Sequence, residues 1–215
     1  MLEQDVRLTE IFYSLQGESL FVGCPTVFIR LTGCPLRCQY CDTAYAFSGG
    51  KRLKISVILD AVAKYTPDYI CVTGGEPLAQ KSCFPLLTLL CDRFKFISLE
   101  TSGAMPIEHV DTRVTIVMDV KTPGSKEVSK NLIENFSFLK KNDQIKFVLC
   151  NKDDFDWAKH YINTHKLAKK CNILFSPSWN ELEAAQLAQW IINDKLPVRL
   201  QLQLHKILWH DERGR

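Results

Sequence analysis

The sequence predicts an α/β fold: an incomplete, reduced TIM-like barrel of mainly parallel strands with helices outside. Three observations predict it. Segments rich in β-branched and aromatic residues alternate with helical patterns along the 215 residues, and such alternation implies a mainly parallel sheet covered by helices. The strand segments are apolar runs, as in strands buried on both faces. The stretch 101–113 is too short and broken for a full crossover helix, which suits a reduced barrel better than a complete eightfold one.

In chain order, residues 6–14 and 26–31 read as strands. Residues 55–65 place Ile55, Ile58, Leu59 and Val62 on one helical face. A short buried strand over 69–73 ends at Gly74-Gly75. A helix over 83–93 and a strand over 95–100 follow. Residues 114–120 and 145–149 are further strands, and 153–166 reads as a helix with Asp153 as its candidate N-cap. A strand over 173–175, a helix over 181–193 and a strand over 198–202 complete a single domain spanning 1–215.

Composition narrows the function classes. The net charge is +3, from 27 basic and 24 acidic residues, too mild to argue for nucleic-acid or membrane partners. No apolar run is long enough to span a bilayer. The start Met1-Leu2-Glu3-Gln4-Asp5 is polar and unlike a secretory signal, so the expected location is the cytoplasm. Nine cysteines is high, but an odd count without a signal sequence argues against a disulfide framework. Cys24, Cys71, Cys83, Cys91, Cys150 and Cys171 lack ligand spacing and read as packed side chains.

Cys34, Cys38 and Cys41 are different: they form C-x-x-x-C-x-x-C within eight residues. Three thiolates on one loop suit zinc or an iron–sulfur cluster. Structural zinc wants a fourth ligand, and no His or Cys lies close after Cys41. A [4Fe–4S] cluster on three cysteines leaves one iron open for chemistry.

This loop, with Tyr40 before its last cysteine and Gly74-Gly75-Glu76-Pro77 after a strand, resembles the radical S-adenosylmethionine (SAM) superfamily. The resemblance implies a reduced barrel of the radical SAM type. It also implies a [4Fe–4S] cluster whose free iron chelates SAM, and cleavage of SAM to a radical that abstracts hydrogen from the substrate. Further stretches are similar to the 7-carboxy-7-deazaguanine synthase family of queuosine (7-deazapurine) biosynthesis. They are Glu10 to Glu18, Thr26 to Leu31, Cys41-Asp42-Thr43, Leu99 to Gly103, and the ending Gln201 to Trp209. Residues 124–196 carry little that matches.

That family implies a Mg²⁺-dependent lyase that contracts 6-carboxy-5,6,7,8-tetrahydropterin to 7-carboxy-7-deazaguanine with loss of ammonia, in a step that regenerates SAM. It implies Cys34, Cys38 and Cys41 for the cluster and Thr43 for Mg²⁺, a hard oxygen ligand that leaves positions for water and substrate. Tyr40, Cys41, Asp42, Gly75, Glu76, Ser102, Asp119, Val120 and Lys121 are implied for SAM. In this reading Glu76 would accept from the SAM amino group, though a lone glutamate could equally cap a turn, and Asp42 would organise the loop through backbone bonds. Leu15, Gln16, Gly17, Arg30 and Thr73 are implied for substrate. Gly17 would let backbone approach a flat ring, and the Arg30 fork would suit a carboxylate. The segment after the first strand and the C-terminal segment would close the substrate side. Partners implied are the small pterin, an electron donor such as flavodoxin or ferredoxin, and a second copy of the chain in a homodimer.

Some readings compete. His205 is a candidate substrate contact or proton donor, and more simply a hydrogen-bonded structural histidine. Lys121 could be a solvated loop lysine. Ser19 stands where many members of the family have glycine, and Asp119-Val120-Lys121 where other branches have Ser-Pro-Lys. A glycyl-radical activase shares the cysteine spacing and the glycine motif. A zinc-binding interaction module remains as a reading of a different class.

Overall fold

The computed structural model describes residues 1–210 and 212–214. Among these, one sheet contains β1 (Asp5–Leu15), β2 (Pro25–Leu31), β3 (Lys51–Lys54), β4 (Tyr69–Gly74), β5 (Phe96–Thr101), β6 (Thr115–Asp119), β7 (Gln144–Leu149), β8 (Asn172–Pro177) and β9 (Arg199–Leu200). The strand order is β3-β1-β2-β4-β5-β6-β7-β8-β9. Neighbours from β2 to β9 are parallel, while β1 runs antiparallel to both β2 and β3. The order has two ends, so the sheet is open, as an incomplete barrel requires. The helices are α1 (Ile55–Ala63), α2 (Cys83–Arg93), α3 (Lys152–His165), α4 (Ala184–Asn193) and α5 (Leu204–Trp209).

Side chains alternate across a strand, and that alternation separates core from site. Val27, Ile29 and Leu31 of β2, Ile70 and Val72 of β4, Ile97 and Leu99 of β5, and Ile145, Phe147 and Leu149 of β7 are all buried. They join one core with Ile58 and Val62 of α1, Leu86 and Leu90 of α2, and Phe155 and Ile162 of α3. Each fully buried aliphatic side chain of this kind contributes about 1.5–3 kcal/mol. The opposite parity holds Phe28, Arg30, Thr73, Glu100, Val117, Asp119, Lys146 and Val148, and all of these line a cavity. The strands are therefore apolar on the helix-covered face and largely polar on the other, not apolar on both as their composition suggests.

The stretch between β5 and β6 forms no helix. Ile107, Val110 and Val114 fill the core there. The buried Asn135 holds the backbone by accepting from Ile107 N and donating to Gly103 O and Met105 O. Two expected boundaries move. Helix α3 is capped by Asn151, not Asp153, because the Asn151 side chain accepts from Asp154 N at 3.0 Å. Helix α4 starts at Ala184, since Glu181 N and Leu182 N are taken by a turn on Ser178 O. Strand β3 and helix α5 are additions to the sequence-based expectation.

Candidate active site

Parallel strands deliver their functional groups at their C-terminal ends, and the loop after β2 illustrates how. Gly33 adopts φ +101, a left-handed conformation that suits glycine. Its N–H bonds Ala46 O at 2.8 Å, closing the loop that carries the three cysteines. The glycine motif after β4 is stitched to the same place: Gly75 N bonds Leu31 O and Glu76 N bonds Gly33 O. A Cβ on Gly75 would lie 2.3 Å from Gly33 O and 2.8 Å from Cys34 Cβ, so only glycine lets the two motifs touch. From outside, Arg37 N bonds Glu127 Oε1 at 2.6 Å and Gln39 N bonds Ser125 O at 3.1 Å.

This scaffold brings Cys34, Cys38 and Cys41 to one wall of a cavity of about 310 Å³, and none of the other six cysteines lines it. Burial pushes all three thiols above their ordinary values, so iron binding there is coupled to proton release. Three sulfurs around one zinc would each lie about 2.3 Å from a common point. Among the described residues no three metal-ligating side chains converge in that way. Three thiols on one wall, with none of the other cysteines beside them, fit a cluster that takes three protein ligands.

Beside the cysteines, Tyr40, Asp42, Thr43, Gly75, Ser102, Asp119 and Lys121 line the cavity. The Tyr40 hydroxyl is buried without a hydrogen-bond partner among the described residues, and burial pushes its pKa up. Asp42 Oδ1 accepts from Thr43 Oγ1 at 2.7 Å, so among the described residues its carboxylate is bonded by a neighbouring side chain, where a backbone bond was expected. Lys121 is buried, not solvated, and its ammonium pairs with Asp119 at 2.7 Å.

Two expected SAM residues stand apart. Glu76 is fully buried and absent from the lining; its carboxylate accepts from Leu78 N, Thr101 Oγ1, Ser102 N and Ser102 Oγ. It joins the ends of β4 and β5 beneath the cavity, with its acceptor positions committed to the protein. The Val120 side chain belongs to the core, and its N–H bonds Lys146 O.

The far wall carries Leu15, Gln16, Gly17, Arg30 and Thr73. Arg30 Nε bonds Glu10 Oε1 at 2.8 Å across the β1–β2 pair, and Tyr45 donates to the same oxygen. Phe12 and Phe28 stack at 4.9 Å beside it. Gly17 is required for a different reason than expected: a Cβ there would lie 2.1 Å from His205 Nδ1. His205 itself lines the cavity, packed against Gly17.

Glu18, Glu100 and Lys146 also line the cavity; Glu18 and Glu100 lie in motif stretches of the sequence without an assigned role, and Lys146 was not singled out. Glu100 accepts from Thr73 Oγ1 at 2.8 Å and Gln16 Nε2 at 3.3 Å. Glu18 and Lys146 form an ion pair at 2.5 Å. A signal existed: Glu100 and Lys146, like Arg30, are single charges within apolar strands, and the same reasoning applies to all three.

Comparison with known proteins decides the family. The radical SAM superfamily profile matches residues 28–118. The 7-carboxy-7-deazaguanine synthase of Chlorobaculum tepidum is 44% identical over 99% of this chain and 98% of its own length. The chain belongs to the 7-carboxy-7-deazaguanine synthase family. The Koribacter versatilis member is 37% identical over 96% of this chain and 98% of its own length. The crystal structure of QueE from Escherichia coli has the same fold, with a TM-score of 0.78 at 23% identity over 94% of this chain and 95% of that one. Radical SAM members of this family use a [4Fe–4S] cluster and SAM, which fits the three-cysteine wall. Among the described residues no helix is long and apolar enough to cross a membrane.

Proposed function

We propose that this protein catalyses the Mg²⁺-dependent ring contraction of 6-carboxy-5,6,7,8-tetrahydropterin to 7-carboxy-7-deazaguanine, with loss of ammonia, in 7-deazapurine (queuosine) biosynthesis. The observation that carries the reading is one cavity with three cysteines on one wall and Arg30 with Glu100 among the groups on the other. The full-length relatives named for this activity support it.

Cys34, Cys38 and Cys41 would hold the cluster, which would supply one-electron cleavage of SAM and so the means of hydrogen abstraction from the substrate. The chain's own residues bind and orient. Arg30 is held by Glu10 through Nε, leaving its two terminal nitrogens to fork the substrate carboxylate. The stacked Phe12 and Phe28 offer an apolar flank for a flat ring. Glu100 is bonded by two neutral donors, so its remaining lone pairs can accept ring N–H groups of the aminopyrimidinone edge. Thr73 and Gln16 orient that carboxylate, while Leu15 and Gly17 shape the wall. Thr43 donates its proton to Asp42, which leaves its oxygen lone pairs for Mg²⁺. Tyr40, Cys41, Asp42, Gly75, Ser102, Asp119 and Lys121 form the SAM side. Glu76 acts beneath that side by fixing Ser102, and Val120 by its place in the core. The electron donor (flavodoxin or ferredoxin), the homodimer and the cytoplasmic location are proposed from the family.

The test is to incubate reduced, cluster-loaded protein with SAM, Mg²⁺ and the pterin under anaerobic conditions. Formation of the deazapurine is expected. Turnover of a glycyl-radical protein in place of the pterin would support an activase. A colourless preparation with zinc and no iron would support the zinc-binding module.

A further inference from the structure

Strand β7 places two polar residues, Gln144 and Lys146, on the inner face at positions i and i+2. Both hold the loop that follows β1. Gln144 Oε1 accepts from Leu20 N at 2.8 Å, and Lys146 Nζ bonds Glu18 Oε2 at 2.5 Å. Lys146 also lies 3.3 Å from Asp119 Oδ1. The second oxygen of Asp119 is taken by Lys121, and the second oxygen of Glu18 by Gln203 Nε2 at 2.9 Å. Three segments therefore meet through one chain of alternating charges, Glu18–Lys146–Asp119–Lys121.

We propose that Lys146 is a positioning residue of the reaction: it fixes the Glu18 carboxylate as a hydrogen-bond acceptor in the substrate half of the cavity. This rests on the pterin reading of that cavity.

Two observations carry the assignment. Burying an ammonium group costs several kcal/mol unless it is paired, and an apolar side chain of similar volume would fill the same space without that cost. The charge is thus poorly explained by packing alone, and its shortest contact is to a carboxylate that lines the cavity. The pairing is also asymmetric. Without Lys146, Asp119 would keep Lys121, whereas Glu18 would keep only the neutral Gln203 bond and the field of His205. Removal of Lys146 is therefore selective for the Glu18 side.

The test is equilibrium binding of the tetrahydropterin carboxylate and of SAM to anaerobic, cluster-loaded protein. Lys146→Met is expected to weaken pterin binding at least about tenfold and to leave the SAM Kd within about threefold. Lys146→Arg, which keeps the cation, is expected to stay within about threefold for both ligands. The readout that separates positioning from a structural prop is the double-mutant cycle. If Lys146 acts through Glu18, Glu18→Gln/Lys146→Met binds pterin within about twofold of Glu18→Gln alone. That pair buries no lone carboxylate at position 18, so it remains informative if Lys146→Met alone does not fold. An unchanged pterin Kd in Lys146→Met, or a further loss in the double variant, overturns the assignment. Wild-type protein that binds no pterin would instead sink the substrate reading itself.

Discussion

Glu76 provides the sharpest test of how the two sequence motifs are held together. It is fully buried, and its carboxylate collects Leu78 N at 2.9 Å on Oε1, Ser102 N at 2.6 Å and Ser102 Oγ at 2.5 Å on Oε2, and Thr101 Oγ1 at 3.0 Å on both. Glu76→Gln keeps the shape and exchanges one acceptor for an NH₂ donor. With the amide oxygen towards Ser102, the NH₂ faces Leu78 N–H; flipped, it faces Ser102 N–H. Either orientation leaves one buried backbone donor without an acceptor, at about 1–3 kcal/mol. The surviving bonds lose their charge assistance, and the relief of no longer burying a charge offsets part of the loss. The net expectation is a destabilisation of about 2 kcal/mol, which for a chain of this size lowers Tm by roughly 4–8 °C. Thermal unfolding of anaerobically prepared wild-type and variant proteins measures it. A Tm equal to or above wild type would refute the reasoning, because it would mean that the committed-acceptor picture of Glu76 is wrong.

Other predictions follow from the same geometry. Cys34→Ala, Cys38→Ala and Cys41→Ala should each abolish turnover and cluster absorbance, whereas Cys83→Ala should keep both; activity surviving in Cys38→Ala contradicts the cluster assignment. Ser19 holds φ +68 while its Oγ accepts from Phe21 N at 3.1 Å. Ser19→Ala keeps the left-handed strain and loses the bond, costing about 1 kcal/mol. Ser19→Gly also loses the bond but removes the strain, so its urea midpoint should lie above that of Ser19→Ala. Thr43→Ala should weaken the Mg²⁺ dependence of turnover; an unchanged Mg²⁺ titration removes Thr43 from that role. For pH, burial raises Asp119, but Lys121 and Lys146 outweigh it and hold its carboxyl below the ordinary 3.8. Its stability contribution is therefore complete above that value and lost as pH falls through the lower folded value. The urea-midpoint gap between wild type and Asp119→Asn should then shrink as pH is lowered from about 5 to about 3.

The cysteine loop and the glycine motif were legible because their chemistry is local: ligand spacing and close backbone approach are written in consecutive residues. The core strands were legible from their β-branched runs. Strand β3 was not, since Lys51-Arg52-Leu53-Lys54 has no strand pattern and is a strand through its pairing with β1. Glu100 was legible as part of a strand-end motif and Lys146 as a lone charge in an apolar strand, but their place in the cavity was not, because such a charge does not say which face it occupies. The register does: Arg30 pairs with Thr73 and Asp119 with Lys146, and in parallel pairs these side chains point into one cavity. Gly17 was legible as a close approach but not as an approach to His205, a residue far along the chain. Of the two readings of Glu76 the turn cap is the one the side chain shows, by accepting from Leu78 N; the choice was not legible because a glycine-motif carboxylate looks the same in sequence whether it faces a ligand or the protein beneath it.

The central claim is that this cavity runs radical ring contraction of a carboxylated pterin with SAM regenerated. Its most direct measurement is the molar ratio of deazapurine formed to SAM consumed by reduced, cluster-loaded protein with excess pterin and Mg²⁺. The account predicts more than one deazapurine per SAM lost, and none with Cys38→Ala. SAM cleavage without any deazapurine, or one SAM consumed for every product, would contradict it.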